Sequence, residues 1–219
     1  MHIPDGFIGP GTSAVTGAVA VAGVALCVRK AAGTLDEKRV PMAGLAAAFI
    51  FAVQMLNFPV AAGTSGHLLG AVLAAVLVGP WAGALCVSVV LMVQALMFAD
   101  GGLSALGLNI ANMALVGALV GYVMFLTLRK ILPAGKKSVS LAAGIAAGLA
   151  PNLAALSFMV QYATGGNDAA SFGTVLTAML GVHTLIGIGE GVITAMTVSA
   201  VLSVRPDLVH GWQPNGALR

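Results

Sequence analysis

Apolar runs succeed one another along almost the whole chain, and no segment between them is long enough to hold a soluble domain. A membrane-spanning helix needs roughly 20 predominantly apolar residues, with a working range of about 17–25. Seven runs are read as spans on that basis: 12–28, 41–56, 67–78, 81–99, 108–128, 139–163 and 172–204. The third is short, and the Gly79-Pro80 pair behind it ends a helix and signals a tight hairpin into the fourth. The last is too long for one upright helix, so it is expected to tilt, kink at its glycines or project beyond the bilayer. Hydrophobic residues make up 59% of the chain and charged residues only 8%, a balance that excludes a soluble globular fold. The expected architecture is all-α and polytopic: one transmembrane domain over residues 1–219, with seven helices, a leading segment 1–10 and a short tail 205–219.

Lys and Arg accumulate in cytoplasmic loops, so their placement orients the spans. Arg29, Lys30, Lys38 and Arg39 follow the first span, Arg129, Lys130, Lys136 and Lys137 the fifth, and Arg205 and Arg219 the seventh. Loops 57–66, 100–107 and 164–171 carry none. Seven spans therefore put all ten basic residues on one side, with the N-terminus outside and the C-terminus inside, whereas six would scatter them. Orientation accounts for the net charge of +3, and no basic patch for nucleic acid is present. No signal-peptide pattern opens the chain, which makes Met1 the expected mature terminus. Cys27 and Cys86 fall inside apolar runs at no spacing that suggests zinc or a disulfide, and are read as small buried filler.

The start, Met1-His2-Ile3-Pro4-Asp5-Gly6, sets an α-amine and an imidazole one peptide bond apart. If the amine, the backbone nitrogen of His2 and its ring turn to one side, they close two small chelate rings and occupy three corners of a plane. Square-planar nitrogen sets suit Ni(II) and Cu(II), and imidazole suits other late first-row dications. His67, in Gly63-Thr64-Ser65-Gly66-His67, opens the third span on the same outer side and is the candidate fourth donor. Segment 1–10 is accordingly read as metal-binding.

Ionisable groups inside spans are costly and usually face the bundle interior or a polar cavity. His183 and Glu190, seven residues apart, share a face of the last span. They could relay protons, ferry an ion, or form a hydrogen-bonded structural element. Gln54, Asn57, Gln94, Asn109, Asn112 and Asn152 are the other polar side chains in or beside spans. Metal-binding histidines generally donate their second ring N–H to an oxygen, so one of these side chains, or Asp5 or Asp100, is expected to serve His67, with Asn57 best placed to orient the rim. The alanine spacings Ala14-Ala18-Ala22 and Ala43-Ala47 let helices approach closely and are read as internal packing. Asp100-Gly101-Gly102 is read as a turn. Neither G-x-x-x-x-G-K-[ST] nor H-E-x-x-H occurs, so the chain has no P-loop ATP site and no zinc-protease helix of that type.

The residues that carry this pattern also carry a resemblance. Met1-His2-Ile3-Pro4-Asp5-Gly6-Phe7, the run 51–60 (FAVQMLNFPV), the block 63–70 (GTSGHLLG), Gly79-Pro80-Trp81, the run 94–102 (QALMFADGG) and the run 183–190 (HTLIGIGE) resemble the CbiM/NikM family over nearly the whole chain. That resemblance implies the substrate-specific (S) component of an energy-coupling factor (ECF) importer for Co2+ or Ni2+, multi-pass in the plasma (inner) membrane of a prokaryote. It implies seven helices, an N-terminus dipping into the bundle, and Met1, His2 and His67 as ligands of the transported ion. The implied partners are a CbiQ-like transmembrane T component, a CbiO-like cytoplasmic ATPase pair and a small CbiN-like accessory subunit. Some relatives carry the accessory segment fused at the C-terminus. Here the unfused end and the overall wording are more like the cobalt branch, which supplies cobalamin synthesis. The reading from another class is a self-contained membrane enzyme or electron carrier using His183 and Glu190.

Overall fold

The computed structural model describes residues 1–35, 37, 39–60, 64–167 and 170–212. Lys38 and Arg219, used above for orientation, and Gly63 of the 63–70 block lie outside the described residues. Seven helices are present among the described residues: α1 (Pro10–Ala32), α2 (Val40–Gln54), α3 (Ala71–Val78), α4 (Pro80–Met97), α5 (Leu106–Ile131), α6 (Lys136–Gly165) and α7 (Phe172–Val204). Five of them, all but α2 and α3, are long and apolar enough to cross a membrane. In the middle of α5, Ile110–Val120 winds more widely than an α-helix. A two-residue antiparallel pair, β1 (Phe58–Pro59) with β2 (Ser65–Gly66), precedes α3.

The third expected span is where the backbone departs from the sequence pattern. Apolar composition over 67–78 predicts helix throughout, yet only Ala71–Val78 is helical and all eight of its residues are buried. Residues 67–70 are non-helical, and Gly70 turns into α3 at φ 70°, a conformation that favours glycine. Eight residues rise only about 12 Å, so α3 sits inside the bundle as a half-helix. At its other end Gly79, at φ 97°, joins it to α4 in the expected hairpin, and Gly83 lets the two backbones close up: a Cβ there would lie 2.6 Å from the Ala75 nitrogen.

Small residues set the tightest helix contact, although not the ones the alanine spacings suggest. Ala14, Ala18 and Ala22 are exposed, because α1 turns Gly17, Ala20, Gly23 and Cys27 inward instead. Ala43 and Ala47 do pack on the core. The closest approach is α6 on α7: a Cβ on Gly191 would stand 2.8 Å from the Gly144 carbonyl oxygen, and one on Gly187 would collide with the Gly148 carbonyl. This pair of small-residue ladders seats α7, with His183 and Glu190 on its buried face. Cys27 and Cys86 are free and buried, as filler should be.

Gly187→Val is expected to destabilise the bundle by at least about 1–3 kcal/mol, the ordinary range for overpacking. Gly189→Ala, whose added carbon would meet nothing within 4 Å, should leave thermal unfolding in detergent unchanged. Equal effects of the two substitutions would refute the interlocked α6–α7 interface.

Candidate metal centre

The N-terminal arm, residues 1–9, is drawn into one end of the bundle rather than left in solvent. Met1 and Ile3 are fully buried and His2 is 4% exposed. Three grips hold the arm. Asn109 of α5 takes the Ile3 backbone from both sides, its Oδ1 accepting from the Ile3 N–H at 2.9 Å and its Nδ2 donating to the Ile3 carbonyl at 3.3 Å. The loop between α4 and α5 supplies the second: the Gly102 N–H donates to the Ile3 carbonyl at 2.8 Å, while Asp5 Oδ1 accepts from the Ser104 N–H at 2.7 Å and from its hydroxyl at 2.5 Å. The end of α6 is the third, where the Gly9 N–H reaches the Gly165 carbonyl at 2.6 Å and Phe7 stacks on Phe158 and Tyr162.

Gly101 and Gly102 are therefore more than a turn. Gly101 adopts φ 91°, and a Cβ there would lie 3.0 Å from His2 Nδ1; one on Gly102 would lie 2.7 Å from the Pro4 carbonyl carbon. The two glycines form the wall against which the arm lies.

At the buried tip of this arm the Met1 amine contacts Nε2 of His67, and the rings of His2 and His67 lie 4.5 Å apart between centroids. His67 Nδ1 donates to the Leu68 carbonyl at 2.8 Å, which leaves Nε2 as the ring's lone pair, facing the amine. None of the side chains considered from sequence serves His67; its acceptor is a backbone oxygen one residue on, available because 67–70 is not helical. Asp100 lies nearer to His2, its Oδ2 3.4 Å from His2 Nε2 without forming a hydrogen bond to it, while Asn57 Nδ2 donates to the same oxygen at 2.9 Å. Of the two His2 ring nitrogens, Nδ1 is the one able to close a six-membered chelate with its own backbone nitrogen. Asp5 is spent on Ser104.

No cluster of three His, Cys, Asp or Glu side chains able to hold a metal occurs among the described residues. The site instead joins two imidazoles to the chain's own amine. Nitrogen donors of this kind suit a late first-row dication.

His183 and Glu190 share a buried face, but each bonds elsewhere. His183 Nδ1 donates to the Met179 carbonyl at 2.8 Å, and Glu190 accepts from the backbone of Leu69 and Gly70. From sequence Asn109 is only one of several candidate acceptors for His67; nothing in the sequence signals that it faces Ile3 instead.

The family model described as "Cobalt uptake substrate-specific transmembrane region", CbiM, matches residues 2–208. The chain belongs to this family. Among its relatives, a putative metal transport protein of Haloquadratum walsbyi is 41% identical over 95% of this chain and 93% of that one. A putative fused nickel transport protein, NikMN, of Archaeoglobus fulgidus is 37% identical over 96% of this chain and 68% of its own length. The crystal structure of a truncated transition metal transporter superposes with a TM-score of 0.83 at 33% identity, covering 93% of this chain and 99% of that one. As a CbiM-family member the chain is a multi-pass membrane protein whose relatives are cobalt and nickel transport proteins.

Burial holds the Met1 amine well below its ordinary pKa of 8.0 and lowers the His2 ring from 6.5 to about 2. When the arm leaves the bundle both groups regain ordinary values. Below about pH 8 for the amine and 6.5 for the ring, the released arm thus binds protons that the docked arm does not. Docking is at full strength above these values and weakens as pH falls, by up to about tenfold per unit for each group. Aminopeptidase cleavage of the metal-free arm, corrected for the peptidase's own pH profile, should rise at least about tenfold between pH 7.5 and 5.5. A flat corrected rate would contradict burial of neutral groups.

Proposed function

We propose that this chain is the metal-capturing S component of an ATP-driven ECF importer, and that Met1, His2 and His67 bind the transported dication. The observation that carries this reading is the buried contact between the Met1 amine and His67 Nε2 beside the His2 ring. Amine, His2 backbone nitrogen, His2 Nδ1 and His67 Nε2 make four nitrogen donors, with Asp100 and the Leu68 carbonyl behind the two rings. Co(II) is the assigned ion, in keeping with the family's description, and the fused relative's name keeps nickel as the alternative on the same donors. The chain lies in a prokaryotic plasma membrane with the arm outside and the tail inside. Seven passes are supported by the one-sided placement of the basic residues and by the third run, where the non-helical residues 65–70 lead into the roughly 12 Å of α3. With no nucleotide motif in the sequence, the energy for release enters through a T component and an ATPase pair. The fused relative's name supports a small accessory subunit as a further partner.

The amine separates this site from an ordinary pair of histidines. One glycine placed ahead of Met1 turns the amine into an amide and moves the charged terminus by up to about 3.5 Å, while both rings stay intact. Purified protein with that extension should lose Co(II) and Ni(II) affinity by about 100-fold or more, as should His2→Ala and His67→Ala. His210→Ala, at the other end of the bundle beside Arg39, should bind normally. Full metal content in the extended protein would remove the amine from the site.

A further inference from the structure

Glu190 is 2% exposed, and its carboxylate is bound twice by backbone: Oε2 accepts from the Leu69 N–H at 2.6 Å and Oε1 from the Gly70 N–H at 2.9 Å. Those amides precede the first turn of α3, where helix N–H groups lack partners within the helix. On the opposite side Gln54 Nε2, at the end of α2, donates to the Leu69 carbonyl at 2.8 Å. Residues 67–70 have no helical ladder to hold them, so these side chains stand in for one.

One of the two bonds falls on a particular peptide unit. The Leu69 N–H and the Leu68 C=O belong to the same planar group, and that carbonyl is the one His67 Nδ1 donates to at 2.8 Å. The chain of contacts runs from the Glu190 carboxylate to the Leu69 N–H, through the peptide to the Leu68 oxygen, to His67 Nδ1–H, and ends at the Nε2 lone pair facing the Met1 amine. Metal-bound histidines are commonly oriented by a carboxylate that takes the second ring N–H directly; here a peptide unit stands between the two. Hydrogen bonds in series polarise one another, so a carboxylate on the N–H makes the carbonyl a better acceptor, holds the Nδ1–H tautomer and keeps Nε2 basic.

We propose that Glu190 is a positioning residue of the metal site, fixing the ring orientation and tautomer of His67 through the Leu68–Leu69 peptide. The inference rests on the metal-capture reading above and adds to it a residue on a different helix that touches no ion. It also gives the 183–190 motif a task other than a proton or ion path.

Glu190→Gln keeps the shape but offers an amide N–H2 to one of the two backbone N–H groups, so the clamp is lost while the side chain's volume is retained. Co(II) affinity is measured for the full chain in detergent as wild type, Glu190→Gln, His67→Ala and the double variant. The expected loss for Glu190→Gln is about 10–100-fold, the usual cost of removing an outer partner of a ligand, with a shift of the Co(II) ligand-field bands. In the His67→Ala background, where the amine and His2 still chelate weakly, the same substitution should change affinity less than about threefold, because its route to the ion is gone. An equal loss in both backgrounds, or unchanged affinity and bands in Glu190→Gln, would overturn the proposal. Should Glu190→Gln fail to fold, Glu190→Asp is read by the same cycle. Wild-type protein that binds no Co(II) or Ni(II) would defeat the metal-capture reading instead, and binding indifferent to His67→Ala would defeat its ligand set.

Discussion

Backbone that leaves the helix deep inside a membrane protein must find partners for every N–H and C=O it exposes, since each unpaired group there costs several kcal/mol. The stretch from Thr64 to Gly70 is under that constraint, largely buried against α2, α5 and α7 and without a helical ladder. Glu190 and Gln54 meet it from opposite sides at Leu69, and His67 meets it in part by bonding the Leu68 carbonyl. The requirement that makes non-helical backbone expensive here is also what orders it, and the order is delivered to the one imidazole in the segment.

The N-terminal arm obeys the same rule from the other direction. Met1, His2, Ile3, Phe7 and Ile8 are buried outside any helix only because Asn109, the Gly101–Gly102 wall, Ser104 and the end of α6 supply bonding partners and room. Once the arm is in place, its amine lies in surroundings that disfavour charge, and a neutral amine beside two neutral imidazoles is a donor set. Burial thus does chemical as well as structural work: it disfavours the proton that the amine would hold in neutral water.

The interlocked glycines of α6 and α7 underlie both. They bring the α7 backbone against α6 closely enough that Ile186 and Glu190 on its buried face meet the 64–70 segment. A Cβ on Gly66 would lie 2.8 Å from the Ile186 side chain, so that approach leaves little tolerance.

Much of this was legible in the chain itself. Hydropathy located the helices to within a few residues, because lipid leaves a long apolar run few alternatives to a helix. The chelate proposed at Met1, His2 and His67 starts from a local feature, because an α-amine next to an imidazole is able to chelate by covalent geometry, before any folding. Other features had no local signature. Apolar composition cannot tell a helix from an extended segment when both are wholly buried, so the unwinding of 67–70 was invisible. Ala14, Ala18 and Ala22 had the spacing of a packing face but point outward, since spacing defines a stripe and not the side on which a neighbour stands. The acceptor for His67, the grip of Asn109 on Ile3 and the clamp of Glu190 join positions 106–121 residues apart, or depend on a backbone turned by such contacts. What the sequence determined was the helices and the nitrogen groups on offer, which are properties of short stretches; which of those groups met, and what held them, was decided by tertiary packing, because burial creates the need for partners and only the folded chain says who is near enough to be one.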